Sequence, residues 1–223
     1  KIKLNYCLYE EGNSANAELR EMCGLATMDF YHLRKSILNR LQSLLPENIL
    51  YHDIPHTLNV EKAAIRYAKL EGISELDILI LRTAVLFHDT GFILQYHSNE
   101  DFAISMAQSM LPEFGYSKAQ IDTICGIIEA TKFKVEPKTL LEEIMCDADH
   151  DYLGRPDYHS IAKKLRKEIE FFDKAFTEEE WIRFQLNFLE NQHIYYTETA
   201  QNIRYYGKNA RIRELNARLK EFE

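Results

Sequence analysis

The sequence has little of the two residues that interrupt regular structure, with 8 glycines and 5 prolines among 223 residues. Helical proteins need few such residues, whereas turn-rich β architectures need many at their chain reversals. No stretch of about 18 apolar residues occurs, so no membrane-spanning helix and no membrane partner are expected. A secretory signal pattern is also missing from the start, from which we expect a cytoplasmic protein.

The four cysteines, Cys7, Cys23, Cys125 and Cys146, show no Cys-x-x-Cys spacing. This is typical of reduced thiols and excludes a zinc knuckle or a disulfide framework.

The sequence also has fewer positive than negative residues: 27 Lys and Arg against 35 Asp and Glu, which gives a net charge of -8. General nucleic-acid binding, which needs a basic face, is therefore not expected, whereas a small phosphorylated substrate remains compatible with this balance.

Almost every segment instead carries apolar residues at helical spacing. Several helix starts are marked by capping signals, in which a Ser or Thr precedes an acidic residue or Gln by three positions. These pairs are Ser74 with Asp77, Ser98 with Asp101, Ser117 with Gln120, and Thr177 with Glu180. We predict helices over about 15–45, 56–70, 74–89, 98–111 and 138–152, the third of them ended by Gly91. A further helix begins at 117, and a long helical region begins at 177. With no convincing strand pattern, the sequence predicts an all-α protein.

The last segment, 209–223, places Ile212, Leu215, Leu219 and Phe222 at helical spacing among charged residues. One interpretation is a terminal helix that docks on the domain. The other is a contact for a homodimer or a connection to a further module. The chain begins at Lys1 rather than at a methionine, which is compatible with processing or with a longer parent protein.

The pair His88-Asp89 follows the apolar run 78–87, where ionisable groups are costly unless they are paired or bind a metal. His52 and His56 lie upstream, four residues apart, and on a helix they would share one face with about 5–6 Å between Cβ atoms. An acidic cluster, 147–149, lies downstream. Each element alone is weak evidence, but together they predict a divalent-metal site built from three helices. Imidazole and carboxylate ligands suit Zn, Fe, Mn, Ni or Co, and several carboxylates also admit Mg.

The blocks Tyr-His-Asp-Ile-Pro-His-Thr (51–57), Leu-Phe-His-Asp-Thr-Gly (86–91) and Asp-Ala-Asp (147–149) before Leu153-Gly154 resemble the signature of the HD-domain metal-dependent phosphohydrolases. This family is all-helical. The resemblance covers about 48–155. We expect a single domain over 1–223, in which an N-terminal helix (about 15–45) and C-terminal helices (about 157–222) pack on this core. The resemblance implies that the metal ligands are His56, His88, Asp89 and one aspartate of the cluster.

The choice between Asp147 and Asp149 is not decided by periodicity, because both flank the apolar face of the helix over 140–152 about equally. The family pattern, in which the ligand precedes the Leu-Gly pair, favours Asp149. Asp147 would then orient one of the ligands.

The first block is similar to the opening motif of the cyclic-nucleotide phosphodiesterases, a branch of the same superfamily. That similarity implies that His52 is the general acid and His56 a metal ligand. The branch has a further histidine where this chain has Phe92. A second metal ion held by His97, Glu100 and a bridging, catalytic Asp89 is one hypothesis. Its alternative is that Ser98 and Glu100 simply begin a helix.

Cations near the predicted site offer phosphate-binding candidates: Arg155, which follows the ligand helix, and Lys132, with Lys134 beside it. The resemblance implies hydrolysis of a phosphate ester of a nucleotide or a similar small molecule. A cyclic-nucleotide phosphodiesterase is the narrower hypothesis. The alternative from another class is a non-catalytic HD module that binds a nucleotide and regulates a partner.

Overall fold

The computed structural model of the protein describes residues 28–222, and every regular element in this range is helical. The prediction of an all-α fold is confirmed. The described helices are α1 (Phe30–Leu44), α2 (Ile54–Leu70), α3 (Glu75–Phe87), α4 (Asn99–Met110), α5 (Lys118–Glu129), α6 (Leu140–Asp149), α7 (Tyr158–Phe172), α8 (Glu178–Asn187) and α9 (Glu198–Leu219). Cys7, Cys23 and positions 15–27 of the predicted first helix lie outside the described residues. Within the described range, no helix is both long and apolar enough to span a bilayer.

Three of the four predicted capping signals act as expected. The side chain of Ser74 accepts the backbone N–H of Asp77 at the start of α3. Reciprocal capping boxes open α5 at Ser117 and α8 at Thr177. Ser98 is the exception, because it has a left-handed backbone (φ 55°) and its side chain makes no capping hydrogen bond. The predicted start of α4 is therefore right, but the predicted capping mechanism is wrong.

Two helices end earlier than predicted, and both early ends matter for the site. Helix α3 stops at Phe87 and is followed by a 3-10 turn, Thr90–Ile93. Helix α6 stops at Asp149, before a second 3-10 turn, Asp151–Gly154. Gly91 lies inside the first turn, where a Cβ atom would come within 1.8 Å of the Asn99 carbonyl oxygen. Its role is to allow this close approach of two backbones rather than to end a helix.

The described residues bury two hydrophobic clusters. The larger one joins α1 to α6, with Tyr67, Phe87 and Ile124 among its fully buried side chains. The smaller one joins α7, α8 and the end of α9, and it includes Tyr51 and Tyr152. The Tyr51 ring lies 4.6 Å from the ring of His56, so the smaller cluster borders the predicted metal site.

Helix α9 packs on both clusters. Its start contributes Ala200 to the larger cluster, and near its end Leu215 is fully buried in the smaller one. Ile212 and Leu219 also pack there, whereas Phe222 is 46% exposed. These contacts agree with a terminal helix docked on its own chain, and the dimer or module contact stays a prediction.

Helix α9 crosses the turn Asp151–Gly154 at a contact between two glycines. A Cβ atom added to Gly207 would lie 2.0 Å from the carbonyl oxygen of Gly154, and one added to Gly154 would lie 2.6 Å from the Arg204 carbonyl oxygen. Neither backbone can move away cheaply, because the Asp151 carboxylate beside them is held by the Arg204 guanidinium at 2.6 Å. The close crossing fixes the position of α9 against the end of the core.

We expect Gly207→Ala to destabilise the protein by about 1–3 kcal/mol, because the new methyl group forces α9 off the turn. Gly126→Ala in α5 is the matched control, since its nearest foreign atom would be Glu142 Oε1 at an ordinary 3.5 Å. An unhindered helical Gly→Ala change stabilises by about 0.5–1 kcal/mol. Urea denaturation of both variants measures the difference, and changes of equal sign would contradict the close crossing.

Candidate metal centre

His52 and His56 do not share a helix face, contrary to the prediction. Asp53 caps α2 by accepting the His56 backbone N–H at 2.9 Å, and Pro55 lies in the first turn. His56 is therefore in the helix, whereas His52 precedes it. Their rings still lie close together, edge to face, with centroids 5.7 Å apart. The expected proximity thus arises from the turn before the helix.

His88 and Asp89 occupy the end of α3, where the backbone leaves the helix. The carbonyl oxygen of Val85 lies 2.7 Å from His88 Nδ1 and accepts its proton. This hydrogen bond fixes the ring tautomer and leaves Nε2 free to act as a ligand.

Packing of α2 against α3 and α6 brings four side chains to one point. His56 Nε2 lies 3.1 Å from Asp149 Oδ1 and 3.3 Å from Asp89 Oδ2. His88 Nε2 lies 3.0 Å from the same Asp89 oxygen and 3.7 Å from Asp149 Oδ1. The structure thus assembles the four ligands that the family resemblance implied, with Asp149 as the aspartate from the acidic cluster.

The convergent atoms are close to one another but are not paired as buried polar atoms usually are. His56 Nε2, His88 Nε2 and Asp89 Oδ2 are all buried, and their mutual contacts of 3.0 and 3.3 Å lack hydrogen-bond geometry. Ligand atoms of His56, His88 and Asp149 lie within 4.8 Å of one another. Leaving such atoms unsatisfied costs about 1–3 kcal/mol each, and more for charged groups. A divalent cation bound between two imidazoles and two carboxylates would satisfy all of them, so these residues fit a metal ion.

The carboxylates of the centre give it a strongly negative electrostatic potential, which is seen in the pKa values of its histidines. Burial alone would lower the pKa of His56, but the adjacent carboxylates of Asp149 and Asp89 raise it to about 9. The same carboxylates raise the pKa of His88 against its burial. Burial would in turn raise the pKa of Asp89, yet the charge of His88 holds it far below its usual value. Without metal the centre therefore retains protons, and a cation would take their place.

Glu168 is the functional candidate that the sequence interpretation missed. It lies on α7, is fully buried, and its Oε1 is 2.5 Å from His52 Nδ1. Its Oε2 accepts the backbone N–H groups of Leu50 and Tyr51, each at 2.7 Å. Burial would raise the pKa of Glu168, but the hydrogen bond from His52 lowers it. The carboxylate therefore holds both the His52 ring and the chain segment that carries it.

Phe92 and His97 clarify the hypothesis of a second metal ion. Phe92, which replaces the further histidine of the phosphodiesterase branch, stacks on the His52 ring at 4.2 Å. His97 is 71% exposed, and its Nε2 lies 3.3 Å from Asp173 rather than near the centre. Glu100 is partly buried, and its pKa is raised by burial and further by Asp89. Of His97 and Glu100, the two residues predicted to hold a second ion together with Asp89, Glu100 is the one whose pKa responds to a charge of the centre.

Asp147 is directed away from the predicted ligands. One of its carboxylate oxygens accepts the Tyr196 N–H at 2.7 Å, and the other accepts the backbone N–H and the hydroxyl of Thr197 at 2.8 and 2.7 Å. Thr197 is the N-cap of α9. The expected role of orienting a metal ligand therefore gives way to a structural role in fixing the start of the last helix.

The two phosphate-binding candidates differ in their position. Lys132 is held between Asp101 and Glu129 at 2.6 and 2.7 Å, so its charge is already neutralised. Arg155 pairs with Asp157 but also lines a cleft of about 60 Å³, to which His56 and Asp149 contribute. Arg155 thus remains a candidate phosphate ligand, and the contacts of Lys132 disfavour it.

A third buried histidine, besides His56 and His88, packs beside His150. His193 is 6% exposed, and neither ring nitrogen makes a hydrogen bond within residues 28–222. Its ring centroid lies 5.1 Å from that of His150. Burial lowers the pKa of His193 to about 2, and the positive charges of His150 and Lys208 act in the same direction.

This shift predicts an acid-sensitive contribution to stability. His193 is neutral when folded but titrates near pH 6.5 when unfolded, so the unfolded state binds the extra proton and stability falls as the pH decreases. Between pH 7 and 5 we expect His193 to contribute a loss of about 2 kcal/mol. Urea denaturation of His193→Phe at both pH values should show a smaller loss than in the parent protein. Parallel losses in the two proteins would contradict a neutral His193.

Comparison with known proteins agrees with this geometry. Residues 50–152 match the HD domain family model, and all four candidate ligands lie within that range. The fold is similar to the crystal structure of a predicted HD superfamily hydrolase from an uncultured Thermotogales bacterium, with a TM-score of 0.58. That match has 18% sequence identity and covers 85% of this chain and 92% of the other. No curated protein matches the chain significantly. Residues 50–152 of the chain therefore carry an HD domain, and the chain shares the fold of that HD superfamily structure.

Proposed function

We propose that the protein is a hydrolase of small phosphate esters that works with one divalent metal ion. One observation carries the proposal: three buried ligand atoms, on His56, His88 and Asp89, converge with Asp149 beside His52 but make no contact of hydrogen-bond geometry. A purely structural role would have given these atoms partners in hydrogen-bond geometry. Their two imidazoles favour a transition ion such as Zn, Fe, Mn, Ni or Co over Mg.

His56, His88, Asp89 and Asp149 would hold the metal ion. A bound divalent ion supplies a water of lowered pKa and neutralises charge that develops on the phosphoryl oxygens. In hydrolysis, an oxygen–phosphorus bond to water forms and the ester oxygen–phosphorus bond breaks. The departing oxygen then needs a proton.

His52 is the residue that would deliver this proton. Glu168 accepts from His52 Nδ1, which leaves Nε2 as the outward nitrogen, and the Phe92 ring fixes the plane of the imidazole. The buried carboxylate stabilises the protonated imidazole before transfer. This arrangement gives His52 both a fixed direction and a charge partner.

Dependence on the leaving group tests this assignment of His52. We expect His52→Ala to reduce kcat on alkyl phosphate esters by about 10²–10⁴-fold, because an alkoxide leaves poorly without a proton. On 4-nitrophenyl esters the loss should be much smaller, since that leaving group departs unprotonated. The measurement is kcat for both ester classes with metal-loaded protein, and equal losses on both would exclude His52 as the general acid.

A substrate panel tests the proposed reaction itself. Metal-loaded protein should release phosphate or a phosphomonoester from at least one class among mononucleotides, cyclic nucleotides and simple phosphate esters. Hydrolysis of cyclic nucleotides would support the narrower phosphodiesterase hypothesis, and hydrolysis of noncyclic substrates alone would exclude it. If ligands stabilised the protein thermally but no product formed, the protein would be a binding module.

A further inference from the structure

A cavity of about 200 Å³ adjoins the centre. Six aromatic side chains line it, contributed by the segment before α2, the turn after α6, helices α7 and α8, and the π-helical turn that follows α8: Tyr51, Tyr152, Tyr158, Trp181, Phe184 and Phe188. We call this cavity the aromatic chamber. Phe184 is 42% exposed, whereas Trp181, which stacks on it, is 5% exposed. The chamber therefore has a half-exposed aromatic wall and a buried one.

The chamber offers little to a charged group. No Lys or Arg occurs among the described residues that line it. Two further polar side chains that line it already have partners. Gln185 Oε1 accepts the Tyr158 hydroxyl at 2.9 Å and its Nε2 donates to the Trp181 carbonyl at 3.2 Å, while His150 Nδ1 lies 3.2 Å from the Cys146 carbonyl oxygen. A hydrated or ionic ligand would lose its water here without replacement, whereas a flat apolar group would keep its interactions.

The size of the chamber fits one ring. An apolar cavity of roughly 150 Å³ holds a benzene molecule. The chamber is somewhat larger, and it contains aromatic faces against which a ring can pack. Its volume and lining are thus suited to a single aromatic ring with small uncharged substituents.

The position of the chamber connects such a ring to the chemistry. Asp149 of the centre and His52 both line it. If His52 protonates the departing oxygen, the organic group bonded to that oxygen lies on the chamber side. We propose that the aromatic chamber binds the leaving alcohol of the substrate, which is a phosphate ester of a compact aromatic alcohol. This inference rests on the proposed function and gives its substrate class.

Half of the residues that line the chamber belong to helices α7 and α8, which lie outside residues 50–152, the range that matches the family model. The metal ligands lie inside that range. In this proposal the organic group of the substrate therefore contacts a part of the chain beyond the family match.

Trp181 is the single tryptophan of the sequence, so its fluorescence reports on the chamber directly. The test titrates metal-loaded, full-length protein with phenylphosphonate and with methylphosphonate, two analogues that cannot be hydrolysed by ester cleavage. We expect saturable quenching by phenylphosphonate with a Kd at least tenfold lower than that of methylphosphonate. Equal affinities, or a fluorescence that does not respond to phenylphosphonate, would overturn the assignment.

Two variants locate the binding. Ala162 lines the chamber on α7, and Ala162→Leu fills part of it, so phenylphosphonate affinity should fall at least tenfold. Ala217→Leu on the exposed face of α9 is the matched control and should bind like the parent protein. If Ala162→Leu folds poorly, Phe184→Ala at the half-exposed wall replaces it with the same expected loss. Unchanged affinity in a folded chamber variant contradicts the proposal.

Hydrolysis separates this proposal from the proposed function. Phenyl phosphate should exceed methyl phosphate in kcat/KM, and the ratio should fall at least tenfold in Ala162→Leu. Binding of phenylphosphonate without hydrolysis of any ester would refute the hydrolase and keep the chamber as a ring-binding site. Equal hydrolysis of phenyl and methyl phosphate without a tryptophan response would refute the chamber and keep the hydrolase.

Discussion

Asp149→Asn is expected to abolish stoichiometric metal binding and to reduce hydrolysis by on the order of 10³-fold or more. The side chain places Oδ1 3.1 Å from His56 Nε2 and 3.7 Å from His88 Nε2, at the point where the ligand atoms converge. An amide removes one negative charge from a site whose imidazoles must lose protons to bind metal. Loss of metal assistance forfeits several kcal/mol of transition-state stabilisation.

Asp147→Asn is the matched control, the same chemical change two residues earlier on α6. Its carboxylate serves Tyr196 and Thr197 rather than the centre. We expect full metal content but a loss of about 1–3 kcal/mol in unfolding free energy, because donors at the start of α9 lose acceptors. Metal analysis and urea denaturation of both variants separate the two roles. Metal loss in Asp147→Asn with retention in Asp149→Asn would reverse the assignment.

Glu168→Gln is expected to lower kcat on alkyl phosphate esters by on the order of 10²–10³-fold while the metal content stays unchanged. The neutral amide no longer stabilises the protonated ring of His52, and its NH₂ group can face the nitrogen that the carboxylate held at 2.5 Å. The loss should shrink on 4-nitrophenyl esters, which need no proton. A merely structural defect would reduce both ester classes alike.

Glu170→Gln supplies the control for this variant on the same helix. Glu170 pairs with Arg166 at 2.8 Å and accepts the Phe176 N–H at 3.2 Å, away from His52. We expect wild-type kcat on both ester classes, because an ion pair of this kind contributes roughly 0–1 kcal/mol to stability and nothing to the centre. Equal kcat losses in Glu168→Gln and Glu170→Gln would show that α7, rather than the Glu168 carboxylate, is what matters.

The sequence predicted those parts of the site that depend on residues close together in the chain. The positions of His56 and His88 at helix ends follow from capping and apolar periodicity, and the family resemblance named Asp149. The sequence of helix α7 also contains a pattern that could have identified Glu168. Glu168 falls in the register of its buried stripe, at i+7 from Ile161 and i+3 from Leu165, where an acidic residue needs a buried partner.

Other features depend on partners that are distant in the chain. Periodicity could not separate Asp147 from Asp149, because the hydrogen bonds that engage Asp147 come from residues about 50 positions away. The position of His97 depends on Asp173, which lies 3.3 Å from its Nε2 and 76 positions later in the chain. The aromatic chamber combines several segments, and no local pattern in any one of them marks it.

The most direct test is anomalous X-ray diffraction from crystals of the protein loaded with Mn²⁺. We expect one strong anomalous peak within coordination distance of His56 Nε2, His88 Nε2, Asp89 Oδ2 and an oxygen of Asp149. A peak at another set of residues, or none at this centre with full Mn²⁺ in solution, would contradict the metal site on which the proposed hydrolysis depends.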